Sequence, residues 1–197
     1  MRLLITSTLF IALFACNNSE KKAENTSTEK PKSINTSSYN SQMDSALYIY
    51  NQLQSNLVNW DSAQAALSAE KLAIAITKVN TDSLTIADSA KSSATQLKNT
   101  IEAEAKAVAL EPTLTEKRRS FFTLSEAFYS LLKTTKYDNA VVYRMECPMA
   151  FNDEETANWL SLVDEVNNPY LGTKHPTYKS GMLHCGSTVD SINFSKK

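Results

Sequence analysis

From Asp61 to Leu110 the chain reads DSAQAALSAEKLAIAITKVNTDSLTIADSAKSSATQLKNTIEAEAKAVAL, a run with 13 alanines and neither glycine nor proline. Alanine is the strongest helix former and both helix breakers are missing, so the run predicts helix. Ala65, Ala69, Leu72, Ala73, Ile76 and Val79 recur at helical spacing, and so do Leu84, Ala87, Ala90, Ala94, Leu97, Ile101 and Ala105. Each set covers one face of a helix, and Val79 to Ser83 between them reads as a turn. Asp61 is placed to accept hydrogen bonds from the free N–H groups at the first start.

The same reading extends in both directions. Upstream, glycine and proline stay absent back to Ser33, and Met43, Leu47, Tyr50, Leu53 and Leu57 form an apolar stripe that ends at Asn59-Trp60. Downstream, Pro112 cannot continue a helix because it lacks an N–H donor. A fourth helix then begins near Thr113 to Thr115, with Phe121, Leu124, Ser125, Phe128, Leu131 and Leu132 as its stripe. Its large side chains complement the alanine-rich faces. Four amphipathic helices with short joins predict a mainly α fold, an antiparallel bundle over residues 39–137. Glu102, Glu104, Glu111 and Glu116 read as solvated charges, and Lys117-Arg118-Arg119 as an exposed first turn at odds with the helix dipole.

Residues 1–15 combine an early Arg2 with the apolar stretch Leu3 to Ala15, the pattern of a signal peptide that is too short to span a bilayer. Leu13-Phe14-Ala15-Cys16 resembles the lipobox of bacterial lipoproteins, which implies lipidation of Cys16 and a membrane anchor of several acyl chains. Residues 16–38 are almost wholly polar and are expected to be a disordered tether. Loss of Arg2 with the signal would take the basic count from 20 to 19 against 21 acidic side chains. No strong field then attracts nucleic acid, and that class is excluded.

Composition changes sharply near the C-terminus. All three glycines, three of the five prolines, both histidines and the two remaining cysteines lie at or beyond Cys147. Residues 138–197 therefore read as an irregular segment of the same domain, with a short strand at Ala140 to Tyr143 and a short helix from Asp153 to Val166. Tyr143, Phe151, Trp159 and Tyr170 are the apolar anchors expected to pack it onto the bundle.

Four motifs recur in this segment: Cys147-Pro148-Met149-Ala150-Phe151, Trp159-Leu160-Ser161, Asn168-Pro169-Tyr170-Leu171-Gly172 and Met182-Leu183-His184-Cys185-Gly186. Together, after a helical region, they resemble a bacterial domain of unknown function. That domain occurs in lipoproteins and at the C-terminus of periplasmic adaptor subunits of copper and heavy-metal efflux pumps. The resemblance covers roughly residues 39–189, with its specific part at 147–186; the stretch 173–180 is longer than the family pattern. It implies a cell-envelope location facing the periplasm or cell surface, a metal-efflux context and an adaptor or other envelope protein as partner.

Cys147, Met149, Met182, His184 and Cys185 are the candidate metal ligands. Thiolate and thioether sulfurs with an imidazole suit Cu(I), whereas hard cations require oxygens. Pro148 holds Cys147 extended, and Gly186 permits a tight turn beside Cys185. A structural disulfide between Cys147 and Cys185 is an equal reading outside the cytoplasm. Met149 and Met182 also suit core filling, and His175 reads as solvent-exposed. A structural zinc site usually needs four tightly spaced Cys or His ligands. No C-x-x-C pair, Gly-x-Ser-x-Gly elbow, H-E-x-x-H or glycine-rich phosphate loop is present, so a non-enzymatic role is expected. The functions in view are an envelope lipoprotein that binds Cu(I) as an accessory or chaperone in heavy-metal efflux or tolerance, a disulfide-stabilised, metal-free interaction module and, ranked last, a thiol oxidoreductase.

Overall fold

The apolar stripes lie on the buried faces of four helices in the computed structural model, which describes residues 33–194. They are α1 (Ser37–Val58), α2 (Ser62–Thr77), α3 (Asp88–Leu110) and α4 (Leu114–Thr134). Short joins make consecutive helices antiparallel neighbours, and α1 packs on α2, α2 on α3 and α3 on α4. Met43, Leu47, Tyr50, Leu53 and Leu57 of α1 are fully or almost fully buried, as are Phe121, Leu124, Phe128, Leu131 and Leu132 of α4. The Tyr50 ring stacks on Phe121 with centroids 5.2 Å apart, and its hydroxyl pairs with Ser125 Oγ at 2.7 Å.

Local chemistry sets the helix ends. Asp61 Oδ1 accepts from Gln64 N at 3.0 Å, capping α2 as its position implied. Thr113 and Glu116 form a reciprocal capping box on α4. The third helix starts later than its stripe suggests: Leu84 and Ala87 precede Asp88, with a 3-10 turn at Thr81–Ser83. Glu116 and Glu102 are also more than solvated charges, since Glu102 pairs with Lys106 at 2.6 Å one turn away.

Two expectations about polar segments are overturned. The tether does not reach residue 38. Thr36 caps α1, Ser33 Oγ donates to Asp138 Oδ1 and Ile34 N to Asp138 Oδ2, both at 2.7 Å. Signal peptide, Cys16 and most of the tether lie outside the described residues. Nor is Lys117-Arg118-Arg119 an exposed turn. Lys117 Nζ donates to the C-terminal carbonyls of α3 at Val108 (2.7 Å) and Ala109 (3.2 Å). Arg118 Nη2 donates to Leu57 O at the end of α1 and its Nε to Pro169 O. Lysine and arginine can supply donors that helix C-termini lack, and this outweighs their misfit with the dipole of their own helix. Arg119 alone is exposed, in a bidentate pair with Glu155.

The C-terminal part is a three-stranded antiparallel sheet, ordered β2-β1-β3, where β1 is Val142–Phe151, β2 Glu155–Ser161 and β3 Ser187–Ile192. In place of the short helix expected over 153–166 there is the strand Glu155–Ser161 followed by an irregular stretch, and the strand expected at 140–143 begins at Val142 and runs on to Phe151. Asn152 and Asp153, with φ of 51° and 62°, and a Glu154 N to Phe151 O bond make the tight β1–β2 turn. Once Phe151 reverses direction there, β2 pairs along β1 from Cys147↔Ala157 to Tyr143↔Ser161. This long-range pairing overrides local preference. Pro148 sits where the β1–β2 register shifts, a place that needs no ladder donor. Among the described residues β3 pairs on one side only, with a second register shift opposite Arg144/Met145.

Candidate functional site: the Cys147–Cys185 thiol pair

Strand alternation places Cys147. Arg144 points to α4, where it forms an ion pair with Glu126 at 2.8 Å. Residues one apart in a strand face opposite sides, so Met145 and Cys147 lie on the other face of β1. Both are completely buried. Trp159 and Ala157, their partners on β2, share that face.

The loop from β2 to β3 brings in Cys185. Its turns are closed by Leu183 N to Ser180 O at 3.1 Å and Cys185 N to Met182 O at 3.0 Å. Asn168, fully buried, ties both arms of the loop together. Its Nδ2 donates to Cys185 O at 2.8 Å, while its Oδ1 accepts from Tyr170 N and Leu171 N at 2.8 and 3.0 Å. Gly186, with φ of 131°, lets the loop touch β1: a Cβ there would lie 2.4 Å from Glu146 O and 3.2 Å from Trp159 Cη2. The result is a Cys147 Sγ to Cys185 Sγ distance of 3.7 Å, with both thiols free.

Burial pushes the Cys147 thiol up to about 11, against hydrogen bonds from the Met149 backbone and the Asn168 side chain. At neutral pH it is protonated, so any metal bound here must displace the proton. The approach of 3.7 Å decides what chemistry is within reach. A disulfide requires about 2.05 Å, so the sulfurs must close by roughly 1.7 Å. A tetrahedral, zinc-like ion with bonds of about 2.3 Å to two thiolates spaces them roughly 3.8 Å apart. Cu(I) held by two thiolates alone is near-linear and needs them further apart, so it requires a third donor or a small outward shift.

The other expected ligands are not all gathered with the thiols. Among the described residues no three His, Cys, Asp or Glu side chains form a group able to hold a metal. His184 is exposed, with Nδ1 2.7 Å from Val166 O, and the adjacency of His184 and Cys185 in sequence does not make them one ligand group. Met149 and Met182 are half-buried and packed against the hydrophobic core. His175 is half-buried rather than solvent-exposed: its ring stacks on Tyr178 and meets Trp60 edge-on. Three of the four aromatic anchors form the expected small core, with Tyr170 packed on Phe121, Phe151 and Trp159 at centroid distances of 5.4 to 6.2 Å, whereas Tyr143 is only half-buried at its edge.

Sequence reasoning missed Asn168 and Met145 as parts of this site. Asn168 stands in Asn-Pro-Tyr, a turn signal in which the Asn carboxamide can bond the backbone two residues on. Met145 lies two residues before Cys147 on the same face, and its thioether accepts from Thr188 Oγ1 at 3.1 Å. Trp159 Nε1 is buried without a hydrogen-bond partner among the described residues.

Residues 46–140 match a family described as a protein of unknown function, DUF3347. The match covers the helical region, and the four motifs at 147–186 lie beyond it. No curated protein and no solved structure matches the chain.

Proposed function

We propose that this protein is an envelope lipoprotein that binds Cu(I), or a similar soft metal ion, between Cys147 and Cys185. In this reading acyl chains on Cys16 hold it to a membrane, facing the periplasm or cell surface, and it acts as an accessory or chaperone in heavy-metal efflux or tolerance. An efflux adaptor or another envelope protein is the proposed partner. No described helix is long and apolar enough to cross a membrane.

The observation that carries the reading is the 3.7 Å approach of two sulfurs held by separate elements. Soft sulfur donors select Cu(I) over hard cations. Met149 and Met182 are the candidates for a third donor, and His184 the least suited of the set because Nδ1 is engaged with Val166 O. Titration of the reduced full chain against a colorimetric Cu(I) chelator tests it. Cys147→Ser and Cys185→Ser should each weaken binding by more than the roughly 10- to 100-fold loss typical of a second-shell change. Unchanged affinity in both variants would overturn the proposal.

The close approach of two thiols, with no third His, Cys, Asp or Glu grouped with them among the described residues, supports a second reading, a metal-free interaction module clamped by a Cys147–Cys185 disulfide. Closure would release two protons and transfer two electrons to an envelope thiol oxidant. Intact mass without reductant then falls by the mass of two hydrogens, and the full chain captures its envelope partner with no metal added.

A further inference from the structure

At the far end of α1 from the tether, a cleft of about 360 Å³ opens beside Arg118. Trp60, Phe151, Tyr170 and His175 are among its walls, and Asp153 stands at its lining. Arg118 itself is only 4% exposed. Its guanidinium lies 4.1 Å from the centre of the Trp60 ring, and two of its three nitrogens are committed to the carbonyls of Leu57 and Pro169.

Those two bonds satisfy donors without neutralising charge. Among the described residues Arg118 takes part in no ion pair, although Arg119 and Arg144 each have a carboxylate partner. Asp153 lines the same cleft yet is not within ion-pair distance of it. Nη1 has no hydrogen bond among the described residues, and Arg118 is one of the residues that line the cleft. A buried guanidinium without a counter-ion is costly, and removal from water is the main reason its pKa falls to about 9. An anion arriving through the cleft would relieve that cost.

We propose that this cleft is a binding site for a small organic carboxylate with a flat apolar body, held by Arg118 and enclosed by Trp60, Phe151 and Tyr170. The planar guanidinium matches a carboxylate. Aromatic walls suit an apolar body, and a volume of this size holds a small ligand. Phosphate, tetrahedral and without an apolar body, gains nothing from the aromatic walls and is the poorer fit. The site is independent of the thiol pair.

The test titrates the full chain with benzoate, acetate and inorganic phosphate while the Trp60 indole N–H resonance is followed by NMR. Benzoate should shift that resonance saturably with a Kd below about 1 mM, tighter than acetate and phosphate. Asp153→Asn, on an exposed turn and outside the core, should tighten benzoate binding roughly three- to thirtyfold at low salt by removing a like charge. Arg118→Lys keeps the charge but loses the fork, and should weaken it. Three outcomes would overturn the proposal: no saturable shift in wild type and Asp153→Asn, preference for phosphate, or Arg118→Lys folded with unchanged affinity. Should Arg118→Lys not fold, the Asp153→Asn titration still decides.

Discussion

Gly186 is the residue on which the thiol pair depends. Its φ of 131° and the 2.4 Å that would separate a Cβ from Glu146 O leave alanine no place without moving either β1 or the loop. Gly186→Ala is expected to destabilise the fold by about 2–4 kcal/mol, read as a lower urea midpoint at unchanged m-value. The loop is the softer partner, so Cys185 should move and oxidative crosslinking to Cys147 should slow relative to wild type. A variant of wild-type stability that crosslinks at the wild-type rate would refute this placement. The sequence pointed to Cys147 and Cys185 because soft donors are rare and these stood amid glycine and proline. It did not separate His184 from them, because adjacency in a chain says nothing of side-chain direction in a turn. Nor did it mark Arg118 as buried: a basic run looks the same whether it is solvated or spans the ends of other helices.

At the scale of elements, Asp138 fixes the entry to α1. The carboxylate joins the segment after α4 to Ser33 and Ile34, more than a hundred residues earlier. Burial alone would raise its pKa, but hydrogen bonds from Ser33, the Ile34 N–H, Asn35 and Asn40 outweigh this and hold it below the ordinary value. A carboxyl with a depressed folded pKa stabilises the native state above the unfolded value of about 3.9 and loses that contribution as pH falls through the folded pKa. Relative to its intrinsic rate, exchange of the Ile34 amide should therefore accelerate below about pH 4 in wild type. In Asp138→Asn it should be fast already at pH 6, at a cost of about 1–3 kcal/mol for the lost charged acceptor. Protection at pH 6 that is the same in both chains would sink the idea. Helices were legible as elements because four apolar stripes repeat at helical spacing over long, glycine-free runs. The strands were less so: β2 carries Trp159-Leu160 without clean alternation, since both of its faces are covered and five successive residues, from Ala157 to Ser161, are buried.

For the whole molecule, the helices and the sheet form one unit of stability. Leu160 N donates to Tyr50 Oη, Trp60 Nε1 to Leu171 O and Thr173 N to Val58 O, so strand and loop satisfy groups at the open end of α1 and its neighbours. A chain ending at residue 140 keeps the family-matched helices but strips these partners and uncovers Tyr50, Phe121 and Phe128. It should retain helical far-UV dichroism yet lose near-UV signal and cooperative unfolding; a sharp two-state melt would contradict the coupling. The bundle was readable from sequence because its contacts are between neighbours in the chain, whereas the sheet and clasp arise from pairings across long separations. One rim of β3 carries peptide groups that no other described strand engages, yet Val189 interrupts its register and Asp190 is joined to Lys133 of α4. A kinked, charged border is a poor template for an incoming extended chain. Where many copies crowd together, this border resists their joining into a continuous cross-β ribbon.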